Sequence, residues 1–219
     1  MRVFVTGGTG FVRDHVVRVL RERGAEIDDD YVDLLDGPRL EQALRGCDAL
    51  VHVAALYSYD PADEAALARV NIEGTRTVLA AAARADVRRI VHTSTCATCG
   101  PVAGRQATEG DGPPDWELAV PYKRTKLEAE KLALAAGAVV VNPTTPVGDG
   151  DRRPTPTGAM VAGVARGRFR GYIPTTGVNV VDVRDVAEGH ALALERGRPG
   201  ERYLLGGTDM WLGDLFALI

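Results

Sequence analysis

The chain alternates between short apolar runs and longer stretches in which apolar residues recur at helical spacing. The first run, residues 2–6, is β-branched and ends in glycines, which is typical of a buried strand. The same pattern along the chain predicts strands at 25–27, 49–53, 89–95, 139–141, 179–183 and 202–205. It predicts helices at 11–23, 38–45, 61–84, 122–136, 157–166, 185–196 and from residue 211 onward.

Strands with few polar residues that alternate with helices are typical of a parallel sheet covered by helices on both faces. We therefore predict an α/β fold with a doubly wound parallel sheet. The pattern loosens after Asn142, where a stretch rich in Pro, Thr and Gly begins. We expect residues 1–150 to form the main domain and 151–219 a smaller C-terminal lobe interleaved with the last strands of the sheet.

Two places break this pattern. One predicted strand ends at Ile27 and the next is predicted to begin at Tyr31 and Val32, whereas a parallel crossover needs at least about 10–12 residues. The last residues, 215–219, form an apolar helical turn without a polar tail. We expect a misplaced second strand or a missing connecting segment at the first place, and a truncated lobe at the second.

Composition excludes several classes of protein. Of the 219 residues, 45% are hydrophobic and 26% are charged, which excludes a disordered chain. No apolar run approaches the ~20 residues of a membrane span, and no signal peptide is recognisable after Met1. A net charge of −4 without a basic cluster argues against a nucleic-acid partner. Three cysteines are too few for a disulfide framework and indicate a reducing cytoplasm.

A glycine-rich turn lies between Thr6 and the first predicted helix. Glycines there allow the backbone to approach a pyrophosphate, and the helix N-terminus offers free N–H groups and positive potential. The residues also fit a plain turn without a ligand, but their place after a strand and before a helix favours dinucleotide binding. The expected contacts are Gly7, Thr9, Gly10, Phe11 and Val12.

Tyr122 and Lys126 lie four residues apart on a predicted helix and therefore share one face. A lysine ammonium beside a phenol stabilises the phenolate and lowers the pKa of the tyrosine, which suits acid/base chemistry near neutrality. Alone, the pair also fits a solvated helix. Upstream, Ser94 and Thr95 end a central strand, and α/β sheets place their sites at such carboxyl ends.

The spacing of the glycine loop, Thr95, Tyr122 and Lys126 resembles the extended short-chain dehydrogenase/reductase superfamily, which has a Rossmann fold. The chain is most similar to its NAD-dependent epimerase/dehydratase family, near hopanoid-associated sugar epimerases and dihydroflavonol reductases. The resemblance implies an NAD(P) cofactor and gives the substrate oxygen to Thr95, with Ser94 as the fallback. It implies that Tyr122 is the acid/base group and that Lys126 reaches the nicotinamide ribose. The sequence departs from the family at the third glycine, which is Arg13.

The resemblance also assigns further cofactor contacts. Asp33, which also fits a plain turn, matches a residue that binds the adenine amino group, and Asn71 matches one that braces the active-site helix. The choice between NAD and NADP depends on the end of the second strand, where the acidic run 28–30 leaves it open. With the glycine loop, the contacts implied are Asp33, Leu34, Val53, Ala54, Ala55, Tyr122, Lys126, Pro143, Thr144 and Thr145.

The implied reaction is hydride transfer at an oxygen-bearing carbon of a sugar nucleotide or related small molecule, with Tyr122 moving the proton and Thr95 polarising the oxygen. An NADPH-dependent ketone reductase is one alternative. A cofactor-sensing protein without turnover, suggested only by Arg13, is another. In relatives, the helices that match 61–84 and 122–136 pair across a two-fold axis, which implies a homodimer. The segments 153–158 and 179–185 resemble the substrate lobe of sugar epimerases.

The remaining motifs are interpreted as structural. Cys96 and Cys99 form a Cys-x-x-Cys pair, but a zinc site needs four ligands and a redox pair should open a helix, so neither function is expected. His52 and His92 lie in apolar strands and are expected to be hydrogen-bonded core residues. For Trp116 and Tyr57, contact with a substrate and simple loop packing are equally compatible with the sequence.

Overall fold

The computed structural model describes residues 1–152, 154–169 and 171–219, so Arg153 of the predicted substrate lobe lies outside the described residues. The strands are Arg2–Val5 (β1), Glu26–Asp28 (β2), Ala49–His52 (β3), Arg89–Thr93 (β4), Val139–Pro143 (β5), Thr145–Val147 (β6), Gly177–Asp182 (β7), Arg202–Leu205 (β8) and Thr208–Trp211 (β9). Six of them form a parallel sheet in the order β2-β1-β3-β4-β5-β8.

The described residues form eight α-helices, five of which cover the two faces of this sheet. They are Phe11–Glu22 (α1), Gly37–Leu44 (α2), Glu64–Leu67 (α3), Thr75–Arg84 (α4), Pro121–Ala135 (α5), Pro156–Ala165 (α6), Val183–Arg196 (α7) and Leu212–Leu218 (α8). One apolar cluster packs α1 and α7 on the sheet, and a second packs α2, α4 and α5 on the other face. The predicted doubly wound α/β fold is confirmed. No helix in the described ranges is long and apolar enough to cross a bilayer.

The strand expected at Tyr31 and Val32 is absent from the described structure. The chain leaves β2 at Asp28 and runs without regular structure to α2, and residues 29–48 as a whole form the crossover to β3. The Tyr31 side chain is 71% exposed, whereas Val32 packs against the second apolar cluster. The crossover is therefore long enough, because the prediction had mistaken a surface segment for a strand.

Three further expectations need correction. The long helix predicted over 61–84 contains a π-helical segment at Ala68–Gly74 between α3 and α4. The loop expected after β5 forms β6, which pairs with β7 in a small second sheet. Trp211 ends β9 instead of opening a helix, because residues 208–211 pair antiparallel with β7. Pairing with a distant strand thus overrides local preference at each of these sheet segments.

Three histidines lie in the deepest part of the interior, and two of them, His52 and His190, are hydrogen-bonded. His52 contacts the hydroxyls of Thr6 and Thr75 at 2.8 and 3.1 Å, as expected. His190 of α7 contacts the Thr93 hydroxyl at 2.8 Å. His92 corrects the prediction, because no described residue lies within hydrogen-bonding distance of either ring nitrogen. Burial lowers the pKa of all three, to about 3 for His52 and about 4 for His190.

These depressed pKa values make stability depend on pH. Because the folded state keeps His52 and His190 neutral while the unfolded chain protonates them near pH 6.5, the free energy of unfolding falls as pH drops below 6.5. We expect each to contribute about 1 kcal/mol per pH unit between pH 6 and 5. Urea unfolding of the wild type and His190→Gln across this range measures the two slopes. Equal slopes would contradict a neutral buried His190.

Candidate active site

The glycine loop has the shape that a dinucleotide needs. Gly7 has φ +100°, a conformation that favours glycine, and a Cβ built on it would lie 3.4 Å from Cβ of Ala54. Gly10 precedes α1 in extended backbone, and no side chain caps this helix N-terminus. The first N–H groups of Phe11 and Val12 therefore face the loop mouth, where the helix dipole favours an anion. The loop residues fit the pyrophosphate of a dinucleotide.

The hydroxyl of Thr6 joins the glycine loop to the turn after β3. It accepts hydrogen bonds from the backbone N–H groups of Val53 and Ala54 at 3.1 and 3.2 Å. Because both lone pairs are then occupied, its proton is donated to Nδ1 of His52 at 2.8 Å. The turn 53–55 is thereby held beside Gly7, and the sequence predicts that both contact the cofactor.

Arg13, which replaces the third glycine of the motif, is bonded to the segment that follows β2. Its guanidinium donates to the backbone oxygen and the carboxylate of Asp29 at 3.0 and 2.9 Å. Arg21 reaches the other oxygen of the same carboxylate at 3.3 Å. The side chain of Arg13 is 12% exposed, so it packs along α1 without filling the loop. The departure from the family pattern is therefore accommodated by ion pairs with the segment that follows β2.

The remaining predicted cofactor contacts lie at the same edge of the sheet, around the loop. Asp33 is exposed and accepts the N–H of Leu35 at 2.9 Å, which fixes a turn before α2. Leu34 packs against Gly74, where an added Cβ would lie 3.0 Å from Cβ of Leu34. Thr144 donates to the Leu205 oxygen at 3.1 Å and follows Pro143 at the carboxyl end of β5. Their contact with a cofactor remains a prediction.

Thr95 and Tyr122 form the chemical centre of the site. Tyr122 lies in the first turn of α5, and Thr95 stands just beyond the carboxyl end of β4, where its hydroxyl is close enough to the phenol to lower the pKa of Tyr122. The Ser94 hydroxyl is buried, and no described residue hydrogen-bonds it. The geometry therefore favours Thr95 over Ser94 as the partner of Tyr122.

The expected effect of Lys126 on Tyr122 needs correction. Burial of the phenol raises the pKa of Tyr122, whereas the nearby Thr95 hydroxyl lowers it by a smaller amount. The ammonium of Lys126 donates to the backbone oxygen of Thr93 at 2.7 Å, one turn further along α5. Burial lowers the pKa of Lys126 to about 8, and the Glu130 carboxylate opposes this shift. Desolvation outweighs charge pairing at both groups, so each favours its neutral form.

Asn71 braces this centre from the π-helical segment. Its side-chain oxygen accepts the N–H of Leu56 at 2.8 Å, and its amide donates to the oxygen of Leu56 at 3.1 Å and to the Thr125 hydroxyl at 3.2 Å. Thr125 lies on α5 between Tyr122 and Lys126. The asparagine therefore ties the segment after β3 to the helix that carries the predicted acid/base pair.

A model of the NAD dependent epimerase/dehydratase family matches residues 3–206. The chain belongs to this family. This match confirms the expected family and the expected Rossmann fold. It also confirms the expected enzyme class, which is an NAD(P)-dependent epimerase/dehydratase or reductase of the extended short-chain type. The nicotinamide cofactor is confirmed at the level of the family.

Three similar proteins illustrate the range of the family. The putative dihydroflavonol 4-reductase of Synechocystis sp. is 41% identical and covers 98% of this chain and 70% of its own length. The UDP-glucose 4-epimerase of Thermus thermophilus, solved with NAD, has a TM-score of 0.84 at 27% identity, over 99% of this chain and 81% of its own. The NAD-bound dTDP-glucose 4,6-dehydratase of Streptomyces venezuelae has a TM-score of 0.85 at 25% identity, and the match covers 100% of this chain and 80% of that protein.

Against this family background, the structure adds aromatic residues to the predicted site. The rings of Tyr57 and Tyr59 lie 4.6 and 5.8 Å from the ring of Tyr122, and 5.4 Å from each other. Tyr57 had been interpreted as loop packing or substrate contact, and Tyr59 was missed although the Tyr-x-Tyr spacing was visible in the sequence. Trp116 is largely exposed on a short 3₁₀ segment. The aromatic wall, defined as Tyr57 and Tyr59, borders the phenol.

The cysteine pair lies beside the same centre. Cys96 opens a 3₁₀ turn directly after Thr95, and burial raises the pKa of its thiol. Cys99 ends this turn in the interior, and burial raises the pKa of its thiol to about 11. Both cysteines are free thiols. Neutral thiols are poor nucleophiles and ligands, which agrees with a packing role.

Substitution of Thr95 and of Ser94, one at a time, tests which of the two hydroxyls takes part in the reaction. We expect Thr95→Val to lower kcat by about 10²-fold, because the substrate oxygen loses a hydrogen-bond partner in the transition state. Ser94→Ala should leave kcat within about threefold, since its hydroxyl contacts no described partner. Steady-state assays of the two variants measure the difference. A larger loss from Ser94→Ala would reverse the assignment.

Proposed function

We propose that this chain is a ketone reductase that uses NAD(P)H. The observation that carries the proposal is the placement of the Thr95 hydroxyl near the Tyr122 phenol, beside Lys126 and at the edge of the sheet that bears the glycine loop. Such an arrangement binds one oxygen atom through two hydroxyls and offers it a proton. Reduction of a carbonyl to an alcohol needs both functions at the same oxygen.

The chain's own residues divide into cofactor and substrate groups. We infer that the glycine loop, the 53–55 turn, Asp33 and Leu34 hold the dinucleotide, while Pro143, Thr144 and Thr145 border its nicotinamide end. When bound, the nicotinamide supplies or accepts the hydride. The lowered pKa of Lys126, about 8, leaves its amine part-charged near neutrality, which suits a donor to ribose hydroxyls.

The protonation state of Tyr122 suits the reductive direction. Because burial raises its pKa, the phenol keeps its proton at neutral pH and acts as a general acid at Oη. The substrate oxygen accepts a hydrogen bond from Thr95 and takes the proton of Tyr122 as its charge develops. Developing phenolate charge is stabilised by the nearby Thr95 hydroxyl.

The aromatic wall favours a ketone with a flat or apolar group next to the carbonyl. Tyr57 and Tyr59 present ring faces and edges beside Tyr122, and aromatic groups pack on such rings better than hydroxylated sugars do. The 41% identical relative carries the name of a dihydroflavonol reductase, whereas the solved structures of lower identity carry names of nucleotide-sugar enzymes. Epimerisation of a sugar nucleotide is the second candidate and becomes an outcome of the assay.

A panel assay tests the proposal. Oxidation of NADPH and NADH, followed by absorbance, should occur with aromatic or alkyl ketones, and Tyr122→Phe should abolish it while the cofactor Kd changes by less than about twofold. The phenylalanine keeps the ring packing against Tyr57 and removes only the proton donor. Conversion of nucleotide sugars into their epimers, followed by chromatography and without net oxidation of NAD(P)H, would favour the epimerase. Cofactor binding without turnover of any substrate would favour a sensor.

We also propose a homodimer in the cytoplasm. The outer faces of α4 and α5 carry small or half-buried residues, among them Ala80, Ala83, Leu127 and Leu134, which allow two helices of a second copy to approach closely. The three free thiols fit a reducing compartment.

Light scattering at micromolar concentration tests the dimer. We expect twice the 23.3 kDa chain mass for the wild type. Ala80→Glu, which places an unpaired charge on the exposed face of α4, should give the monomer, because burying such a charge between helices is costly. A monomeric wild type would contradict the proposal.

A further inference from the structure

The carboxylate of Glu130 is buried on α5, one turn beyond Lys126. Its residue is 1% exposed, and a carboxylate without hydration needs partners inside the protein. Arg202 donates to its Oε1 at 2.6 Å, while Asn142 and Thr98 donate to its Oε2 at 2.7 and 2.6 Å. The reaction proposed above assigns no role to this cluster, which we call the Glu130 cluster (Thr98, Glu130, Asn142 and Arg202).

Two members of the Glu130 cluster also hold the backbone of Thr95. The amide of Asn142 and the hydroxyl of Thr98 donate to the Thr95 backbone oxygen at 3.1 and 2.8 Å. The Thr98 hydroxyl has one proton, which it shares between this oxygen and the carboxylate of Glu130. The carboxylate only accepts hydrogen bonds, so it also fixes the Asn142 amide with its nitrogen inward.

Arg202 connects the same carboxylate to the segment that follows the Thr95 turn. From β8 its guanidinium donates to the backbone oxygens of Thr98 and Glu109, at 3.3 and 2.7 Å, and of Asp111. Its side chain is only 18% exposed, so the ion pair with Glu130 is shielded from water. Helix α5, strands β5 and β8 and the loop after β4 therefore meet at one carboxylate.

We propose that Glu130, paired with Arg202, is a positioning residue that holds the Thr95 hydroxyl against the phenol of Tyr122. Thr95 stands on a turn and Tyr122 on a helix, and Glu130 bonds to that turn from the same helix as Tyr122. A shift of about 1 Å between reacting groups can cost about 10²-fold in rate. The inference rests on the proposed roles of Thr95 and Tyr122.

The test compares Glu130→Gln with Glu128→Gln. Glu128 is exposed on the same helix and pairs with Lys131 at 2.8 Å, so it is a matched control. We expect Glu130→Gln to lower kcat for ketone reduction by about 10- to 100-fold. The Kd for NADPH, from fluorescence titration, should change by less than about twofold, because the glycine loop is not part of the cluster. Amide hydrogen exchange over 94–100 should become faster, and Glu128→Gln should change none of these.

Thr98→Val is the second variant, and it decides the question if Glu130→Gln does not fold. It removes the hydroxyl that links Glu130 to Thr95 without adding a charge, and it should lower kcat by about tenfold at unchanged cofactor Kd. A folded variant with wild-type kcat overturns the proposal. So does a fall in kcat matched by an equal weakening of cofactor binding, which indicates a general defect. If the wild type reduces no ketone, the proposed function fails, and exchange over 94–100 alone decides the role of Glu130.

Discussion

The carboxyl edge of the sheet is lined by polar side chains that are shut off from water, and each needs a hydrogen-bond partner within the protein. Thr6 meets this need through His52 and the 53–54 turn, and Thr93 through His190. Asn142 meets it through Glu130. These bonds fix the ends of four neighbouring strands relative to one another. The site geometry follows, since each predicted reacting or binding group is attached to one of these ends or to the helices bonded to them.

The same burial sets the charge states at the centre. Removal of water disfavours any charged form, so the pKa of the Tyr122 phenol rises while the pKa of the Lys126 ammonium falls to about 8. The pKa of Tyr122 thereby moves away from neutral pH, and the pKa of Lys126 moves towards it. With a pKa of about 8, Lys126 still carries its proton in most molecules at neutral pH, beside a phenol that keeps its own. The charge states at the centre are therefore linked to how deeply α5 is packed.

Much of this arrangement could be predicted from the sequence. Parallel strands bring their carboxyl ends to one edge, so the apolar runs before Gly7, Val53 and Thr95 were enough to group these residues. The Tyr122 and Lys126 pair followed from helical spacing. Glu130 could also have been placed on this helix face from the spacing, because it lies one turn beyond Lys126. Its partner Arg202 is 72 positions away, however, and no local pattern joins the two residues. Strands β6 and β9 were not predicted for the same reason, because only their pairing with β7 makes these segments strands.

The acidic run at the end of β2 shows why residue type alone does not define cofactor preference. An aspartate there favours a ribose hydroxyl only if its oxygens are available to accept a hydrogen bond. In this chain both carboxylate oxygens of Asp29 are occupied by the guanidinium groups of Arg13 and Arg21, and Asp28 is paired with Arg2 at 2.8 Å. The residue that replaces the third glycine thus forms an ion pair with one acid of this run. The ion pairs of Asp28 and Asp29 therefore bear on the choice between NAD and NADP together with the residue types.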